Sequence, residues 1–261
     1  MYLQITTKCN MSCSHCCYSC SMRGKHGEYE TIIDSIAFAR DCTDSISIGG
    51  GEPTLHPRFF DILKHCLDDF DYVWMATNGS QTDTMYRLAN IIDMEDYPEC
   101  DCSKEYTPEE MEKYTGDEDG CLCHEKITDD SIYQEDKLSV ALSQDCFHDP
   151  IDKKIESIWQ KRADNGNGRS SHFEIRDVSR SRNGVIAEGR AKRTGSGWAE
   201  GCVCPGIVIK PSGKLRLCGC LRSPVIGDIW SGIDEKWETA IQDDDGYQGT
   251  NCYKDIDNKP K

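Results

Sequence analysis

Lys8 to Cys17 reads KCNMSCSHCC and sets three thiols, Cys9, Cys13 and Cys16, in the spacing C-x3-C-x2-C. A cubane iron–sulfur cluster is normally held by four thiolates, so three closely spaced cysteines with no obligatory fourth leave one iron open to another ligand. The same logic separates catalytic zinc sites, which keep a coordination position free, from structural ones, which are closed. Cys17 and Cys20 complicate the count, since either could supply a fourth ligand, and a zinc knuckle is the competing reading. The chain carries 17 cysteines in 261 residues. A reducing compartment disfavours disulfides, so many of these thiols are expected to serve metals.

The flanking sequence supplies the context. Tyr2 to Thr7 (YLQITT) alternates and is rich in β-formers, so the thiol loop follows a strand. A second short β-prone run, Ser45 to Ile48, ends in Gly49-Gly50-Gly51-Glu52-Pro53, and a third, Tyr72 to Ala76, ends in Thr77-Asn78-Gly79. CNMSCSHC with His15 before its last cysteine, then GGGEP, then TNG, in this order and at these strand ends, resembles the radical S-adenosylmethionine (radical SAM) enzymes. The resemblance implies a [4Fe-4S] cluster on Cys9, Cys13 and Cys16 that binds S-adenosylmethionine at its open iron. It assigns Gly50, Gly51 and Glu52 to the methionyl amine, and Asn78 to the ribose or carboxylate.

The length suits one barrel-sized domain, or one domain plus a small appendage. A chain that is 37% hydrophobic and 29% charged has enough apolar residues for a real core. No run approaches the roughly 20 apolar residues of a membrane span. Met1 leads straight into a strand rather than a secretory signal, so a cytoplasmic protein is expected. The formal charge of −16 would repel a polyanion, which disfavours long nucleic acid as a substrate.

Strands and helices alternate after the thiol loop: a helix over about 28–41, SISIGGGEP, a helix over about 57–67, DYVWMATNG, and a helix over about 82–92. This rhythm means parallel βαβ units, whose ligands bind beyond the C-terminal ends of the strands. All three motifs fall there. The fold class is therefore α/β, and the resemblance sharpens it to a partial (β/α)6 TIM barrel. Residues 95–137 break the rhythm with a polar, acidic insertion carrying Cys100, Cys102, Cys121 and Cys123. Two C-x-C pairs can close such a loop around zinc or another cluster, and a solvated acidic loop is the alternative.

The pattern resumes with LSVALS (138–143), and Ser143 and Asp145 are similar to a strand-end polar pair that many radical SAM enzymes aim at the cofactor. Asp capping of the next helix competes with that role. A helix over 151–162 places Ile151, Ile155, Ile158 and Trp159 on one face. HFEIRDV (172–178) reads as the fifth strand and VIAEGRA (185–191) as the sixth with its exit. Arg190 there suits a carboxylate, a phosphate or a structural ion pair. Cys146 and tyrosines near the strand ends are candidate hydrogen donors.

The Gly- and Ser-rich KRTGSGWAEG (192–201) marks a boundary, dividing a barrel over 1–195 from a domain over 196–261. In the second part, IVI and KLRL flank KPSG as a β-hairpin between Cys202/Cys204 and Cys218/Cys220, with a helix over 233–241 following. The spacing resembles the opening of SPASM and twitch domains, which hold auxiliary [4Fe-4S] clusters. Only Cys252 follows, so a twitch-like domain with one auxiliary cluster is the better match, and zinc is the competing occupant.

The resemblance implies an oxygen-sensitive enzyme that reductively cleaves S-adenosylmethionine to a 5′-deoxyadenosyl radical, fed by a flavodoxin- or ferredoxin-type donor. Oxidation or cross-linking of a peptide or small molecule is the first expectation. Isomerisation or rearrangement of a nucleoside, sugar or amino-acid derivative is the second. A non-catalytic iron–sulfur or zinc module for electron transfer or regulation is the alternative of another class.

Overall fold

The computed structural model describes residues 1–92, 137–165, 172–177, 185, 188–197, 206–221 and 223–237. The element order is β1 (Tyr2–Thr6), α1 (Tyr29–Arg40), β2 (Ser45–Gly50), α2 (Phe59–Asp69), β3 (Tyr72–Thr77), α3 (Thr82–Ile92), β4 (Leu138–Ser143), α4 (Lys153–Asn165), β5 (Phe173–Arg176), α5 (Gly189–Thr194), β6 (Val208–Ile209), β7 (Lys214–Arg216), β8 (Val225–Asp228) and β9 (Gly232–Ile233). One sheet contains all nine strands in the order β5-β4-β3-β2-β1-β6-β7-β8-β9. Strands β5 to β1 and the β1–β6 pair are parallel, and the remaining pairs are antiparallel.

Alternation sorts side chains between the two faces of the parallel strands. Leu3 and Ile5, Ile46 and Ile48, Val73 and Met75, and Val140 and Leu142 join the helices in one apolar core. Each such side chain contributes about 1.5–3 kcal/mol when fully buried. In α2, Phe59, Ile62, Leu63, Cys66 and Leu67 recur at helical spacing and are all buried. Trp159 of α4 is fully buried, donates Nε1–H to the Val140 carbonyl at 3.3 Å and packs edge-on to Phe173. Tyr2, Ser47, Trp74, Ala76, Ser143 and Arg176 line a cavity on the opposite side of the strands.

Gly189-Arg190-Ala191 opens helix α5, which ends at Gly195 in a left-handed cap. Ile186 and Ala187, expected in a sixth strand, lie outside the described residues. One expectation is corrected. Ile233 lies in β9, paired with Gly227 of β8, rather than starting a helix; a helical turn begins at Glu235. The KPSG hairpin forms as expected, but β6 also pairs with β1, so the hairpin extends the main sheet. The 95–137 insertion falls largely outside the described residues. Among the described residues no helix is long and apolar enough to cross a membrane.

Candidate active site

The thiol loop leaves β1 and is zipped back onto it. Thr7 and Cys9 donate backbone N–H groups to Lys25 and Ser21 at 2.8 and 3.0 Å, and Gly27 donates to Ile5 at 2.9 Å. The far side is held by α5. Arg190 Nη1 donates to the Cys13 carbonyl at 2.9 Å and Nη2 to the Cys20 carbonyl at 2.6 Å, while its backbone N–H donates to Cys16 at 2.9 Å. Thr194 Oγ1 adds a bond to Ser14 at 2.8 Å. The sequence readings for Arg190 were a ligand anion or an ion pair; the structure gives it the backbone of the cysteine loop. Gly189 has φ +55, and a Cβ on it would stand 2.1 Å from the Cys17 carbonyl oxygen, so only glycine lets α5 approach this closely.

The GGGEP turn packs on the same loop. Gly50 has φ +139, and a Cβ there would stand 2.1 Å from the Thr6 carbonyl oxygen; a Cβ on Gly51 would meet the Lys8 carbonyl at the same distance. Glu52 is 1% exposed. Its Oε1 accepts from Thr54 N, Thr54 Oγ1 and Thr77 Oγ1 at 3.2, 2.6 and 2.8 Å, and its Oε2 accepts from Asn78 N at 2.7 Å. Burial pushes this carboxyl above the usual carboxylate range, and those bonds oppose the shift. Three of these donors converge on Oε1 and one reaches Oε2, so Glu52 ties the end of β2 to the end of β3 while Oε2 keeps acceptor capacity. Asn78 Nδ2 donates to Asn10 Oδ1 at 2.9 Å, and Asn10 Nδ2 to Ser80 Oγ at 2.7 Å, which links the TNG turn to the thiol loop.

After β4, Ser143 lines the cavity, whereas Asp145 is engaged locally. Its Oδ1 accepts from Phe147 N at 2.9 Å and pairs with His148 Nδ1 at 2.8 Å. The next helix is capped by Asp152, which accepts from Lys154 N at 2.8 Å. His15 lies 4.5 Å from the Phe147 ring and 5.3 Å from His148, and ligand atoms of His15, Asp145 and His148 all fall within 4.8 Å of one another. Cys146 is exposed and lies outside the cavity lining, a position that does not suit the hydrogen-donor role expected of it.

Burial, and then the nearby His148, lower the His15 pKa to about 4 from 6.5. The folded chain therefore holds His15 neutral where the unfolded chain would take a proton. Its contribution to stability is full above 6.5 and is lost as pH falls toward 4. The metal-free protein should show a denaturant midpoint that declines across this window, and His15→Phe should flatten the decline. An unchanged slope in His15→Phe would refute the assignment.

Cys9, Cys13 and Cys16 all line the cavity of about 420 Å³ together with Gly50, Gly51, Glu52 and Asn78. Burial raises the Cys9 thiol, and raises Cys13 to about 11, with the neighbouring thiols adding to the effect. Cys16 is shifted the other way, chiefly by a hydrogen bond from the Cys20 side chain. Soft thiols gathered on a glycine-lined cavity fit an iron–sulfur cluster and a ligand bound beside it. The proposed ligands Cys218 and Cys220 are buried at the end of β7. Cys202, Cys204 and Cys252, like Cys100, Cys102, Cys121 and Cys123, lie outside the described residues. Sequence reasoning did not find Asn10, Arg176 or Trp74; an Arg and a Trp at inward positions of strands were the available signals.

The family model described as the Radical SAM superfamily matches residues 3–100. The S-adenosylmethionine-dependent nucleotide dehydratase of Selenomonas ruminantium is 34% identical over 80 residues, covering 30% of this chain and 29% of that protein. Mycofactocin maturase MftC of Mycobacterium tuberculosis is 35% identical over 81 residues, covering 29% and 20%. The tungsten-containing aldehyde ferredoxin oxidoreductase cofactor-modifying protein of Pyrococcus furiosus is 31% identical over 93 residues, covering 33% and 26%. The chain thus spans less than a third of the length of these relatives. The crystal structure of BtrN in complex with AdoMet and 2-DOIA aligns with a TM-score of 0.49 at 15% identity, covering 92% of this chain and 83% of that one. The similarity to radical SAM proteins is thus shown for residues 3–100, which carry the thiol loop, the GGGEP turn and the TNG strand end.

Proposed function

We propose that the chain reductively cleaves S-adenosylmethionine on a [4Fe-4S] cluster held by Cys9, Cys13 and Cys16, and uses the resulting 5′-deoxyadenosyl radical to remove a substrate hydrogen. The observation that carries this reading is the convergence of the thiol loop, the Gly50-Gly51-Glu52 turn and Asn78 on one cavity. The carbonyls of Gly50 and Gly51 are assigned to the methionyl amine. Glu52 holds that turn in place through its four hydrogen bonds, and its Oε2, which accepts only from Asn78 N, keeps acceptor capacity for the same amine. Asn78 orients the remainder of the cofactor, while the protein's part is to position the reacting atoms beside the cluster. The substrate C–H must sit at about van der Waals contact for the transfer.

On the substrate, oxidation or cross-linking of a peptide or small molecule is the first reading, with isomerisation of a nucleoside, sugar or amino-acid derivative the second. The relatives named above are a maturase, a nucleotide dehydratase and a cofactor-modifying protein, which leaves both classes open. An auxiliary cluster drawing on Cys202, Cys204, Cys218, Cys220 and Cys252 supports oxidation, since it offers a place for the substrate's electron. A flavodoxin- or ferredoxin-type protein is the proposed donor.

Adding S-adenosylmethionine to the reduced, anaerobically reconstituted protein should alter the EPR signal of its cluster. Deuterium recovered in 5′-deoxyadenosine from labelled candidates then identifies the substrate. An EPR signal indifferent to the cofactor would leave a metal-binding module without this chemistry.

A further inference from the structure

No Asp or Glu precedes Glu28, although the whole chain carries a formal charge of −16. The same stretch contains Lys8, Arg23 and Lys25, so the thiol loop is a cationic segment of an acidic protein. Its returning arm, Ser21 to Gly27, is fixed at several points. The Ser21 carbonyl accepts the backbone N–H groups of Cys9 and Gly24 at 3.0 and 2.9 Å, and the Lys25 carbonyl accepts that of Thr7 at 2.8 Å. The Lys25 backbone N–H donates in turn to Thr7 Oγ1 at 2.9 Å. A Cβ on Gly24 would stand 2.0 Å from the Thr7 carbonyl oxygen, so a bare backbone lets the arm approach β1 this closely. Between these anchors Met22 is 59% exposed, and Arg23 and Lys25 are exposed beside it. None of the three lines the cavity.

Met and Arg are enriched in protein interfaces relative to the rest of the surface. Trp230, 62% exposed, supplies a contrast. Its Nε1–H donates to Asp34 Oδ2 and its backbone N–H to Asp228 Oδ1, both at 3.2 Å, so carboxylates flank it. A partner with an acidic face is drawn to the first patch and repelled from the second.

We propose that Met22, Arg23 and Lys25 form the docking surface for an acidic flavodoxin-type electron carrier, which reduces the cluster from the solvent side of the thiol loop. This rests on the reading that the loop holds a redox-active cluster, and it names where the electron enters. The cations meet carboxylates around the carrier's flavin. Met22 meets the exposed edge of the flavin ring, since a thioether makes favourable contacts with aromatic edges. Met22 follows Ser21, whose carbonyl is bonded to the backbone of Cys9, so the electron crosses the loop and leaves the cavity free for cofactor and substrate. In the transfer the anionic flavin hydroquinone loses one electron to become the neutral semiquinone, the oxidised cluster gains it, and no proton moves.

The test uses the anaerobically reconstituted full chain, with its iron measured first, and a bacterial flavodoxin. Arg23→Glu/Lys25→Glu should weaken binding of the oxidised flavodoxin, read by calorimetry, and slow cluster reduction by its hydroquinone, read by stopped-flow absorbance. Each effect should be about tenfold or more at low salt, and should shrink toward about 1 M salt, where the screening length is about 3 Å. Met22→Ala should weaken binding at low and high salt alike, and Trp230→Ala should leave it unchanged. Reduction by photoreduced deazariboflavin, a small donor that needs no docking, should proceed at the parent rate in every variant. Flavodoxin binding and reduction indifferent to the charge reversal overturn the proposal, as do equal slowing with both donors and binding of an acidic ferredoxin in place of flavodoxin. A chain that takes up no cluster fails the underlying reading instead, and calorimetry on that chain still decides whether the surface takes the carrier.

Discussion

Glu52→Ala is expected to lower the unfolding free energy by about 2–6 kcal/mol and to abolish cofactor binding. The estimate follows from the two backbone N–H groups, of Thr54 and Asn78, that would lose their acceptor in a buried site, at about 1–3 kcal/mol for each unsatisfied group. The Thr54 and Thr77 hydroxyls can rotate toward other acceptors, so they add less. Glu52→Gln should be milder, because an amide oxygen can keep the three donors on Oε1 while the amide nitrogen meets the Asn78 N–H. Denaturant unfolding together with S-adenosylmethionine binding checks both. A Glu52→Ala protein as stable as the parent would remove Glu52 from its role as the tie between β2 and β3.

The second large effect concerns α5, far from the thiol loop in sequence. Gly189→Ala forces a Cβ onto the Cys17 carbonyl in a left-handed backbone conformation, and backbone on both sides leaves nowhere to yield. Arg190→Ala removes two bonds from a cation to loop carbonyls, each worth about 1.5–3 kcal/mol. Groups that orient metal ligands typically cost about 10–100-fold in metal affinity when removed. Iron retention against a competing chelator should therefore fall by roughly that factor in either variant. Arg190→Lys should rescue only in part, since an ammonium lacks the planar fork that reaches both carbonyls. Unchanged iron retention in both Gly189→Ala and Arg190→Ala would contradict the clamp.

The legible part of the sequence was what lies along it. The thiol loop, GGGEP and TNG each follow a β-prone run; β1 ends just before the thiol loop, β2 runs to Gly50 within GGGEP and β3 to Thr77 of TNG. The apolar face of α4 was readable because Ile155 and Trp159 recur at helical spacing. Pairing partners were not readable. Local alternation marks Val208 and Ile209 as strand but does not say that they lie beside Leu3, across the sheet from β5. The Arg190 clamp joins residues 170 and 177 positions apart, so no local pattern could predict it. Glu52 illustrates a subtler limit: the motif marked it as a site residue, while only the structure revealed four donors already on its carboxylate.

The central claim is that Cys9, Cys13 and Cys16 hold the centre at which S-adenosylmethionine is cleaved. Its most direct test is 5′-deoxyadenosine production by the anaerobically reconstituted protein with dithionite and S-adenosylmethionine, run beside Cys13→Ala. The account predicts 5′-deoxyadenosine from the parent and none from Cys13→Ala. Failure of both proteins to produce it with iron bound, or equal production by both, would contradict the account.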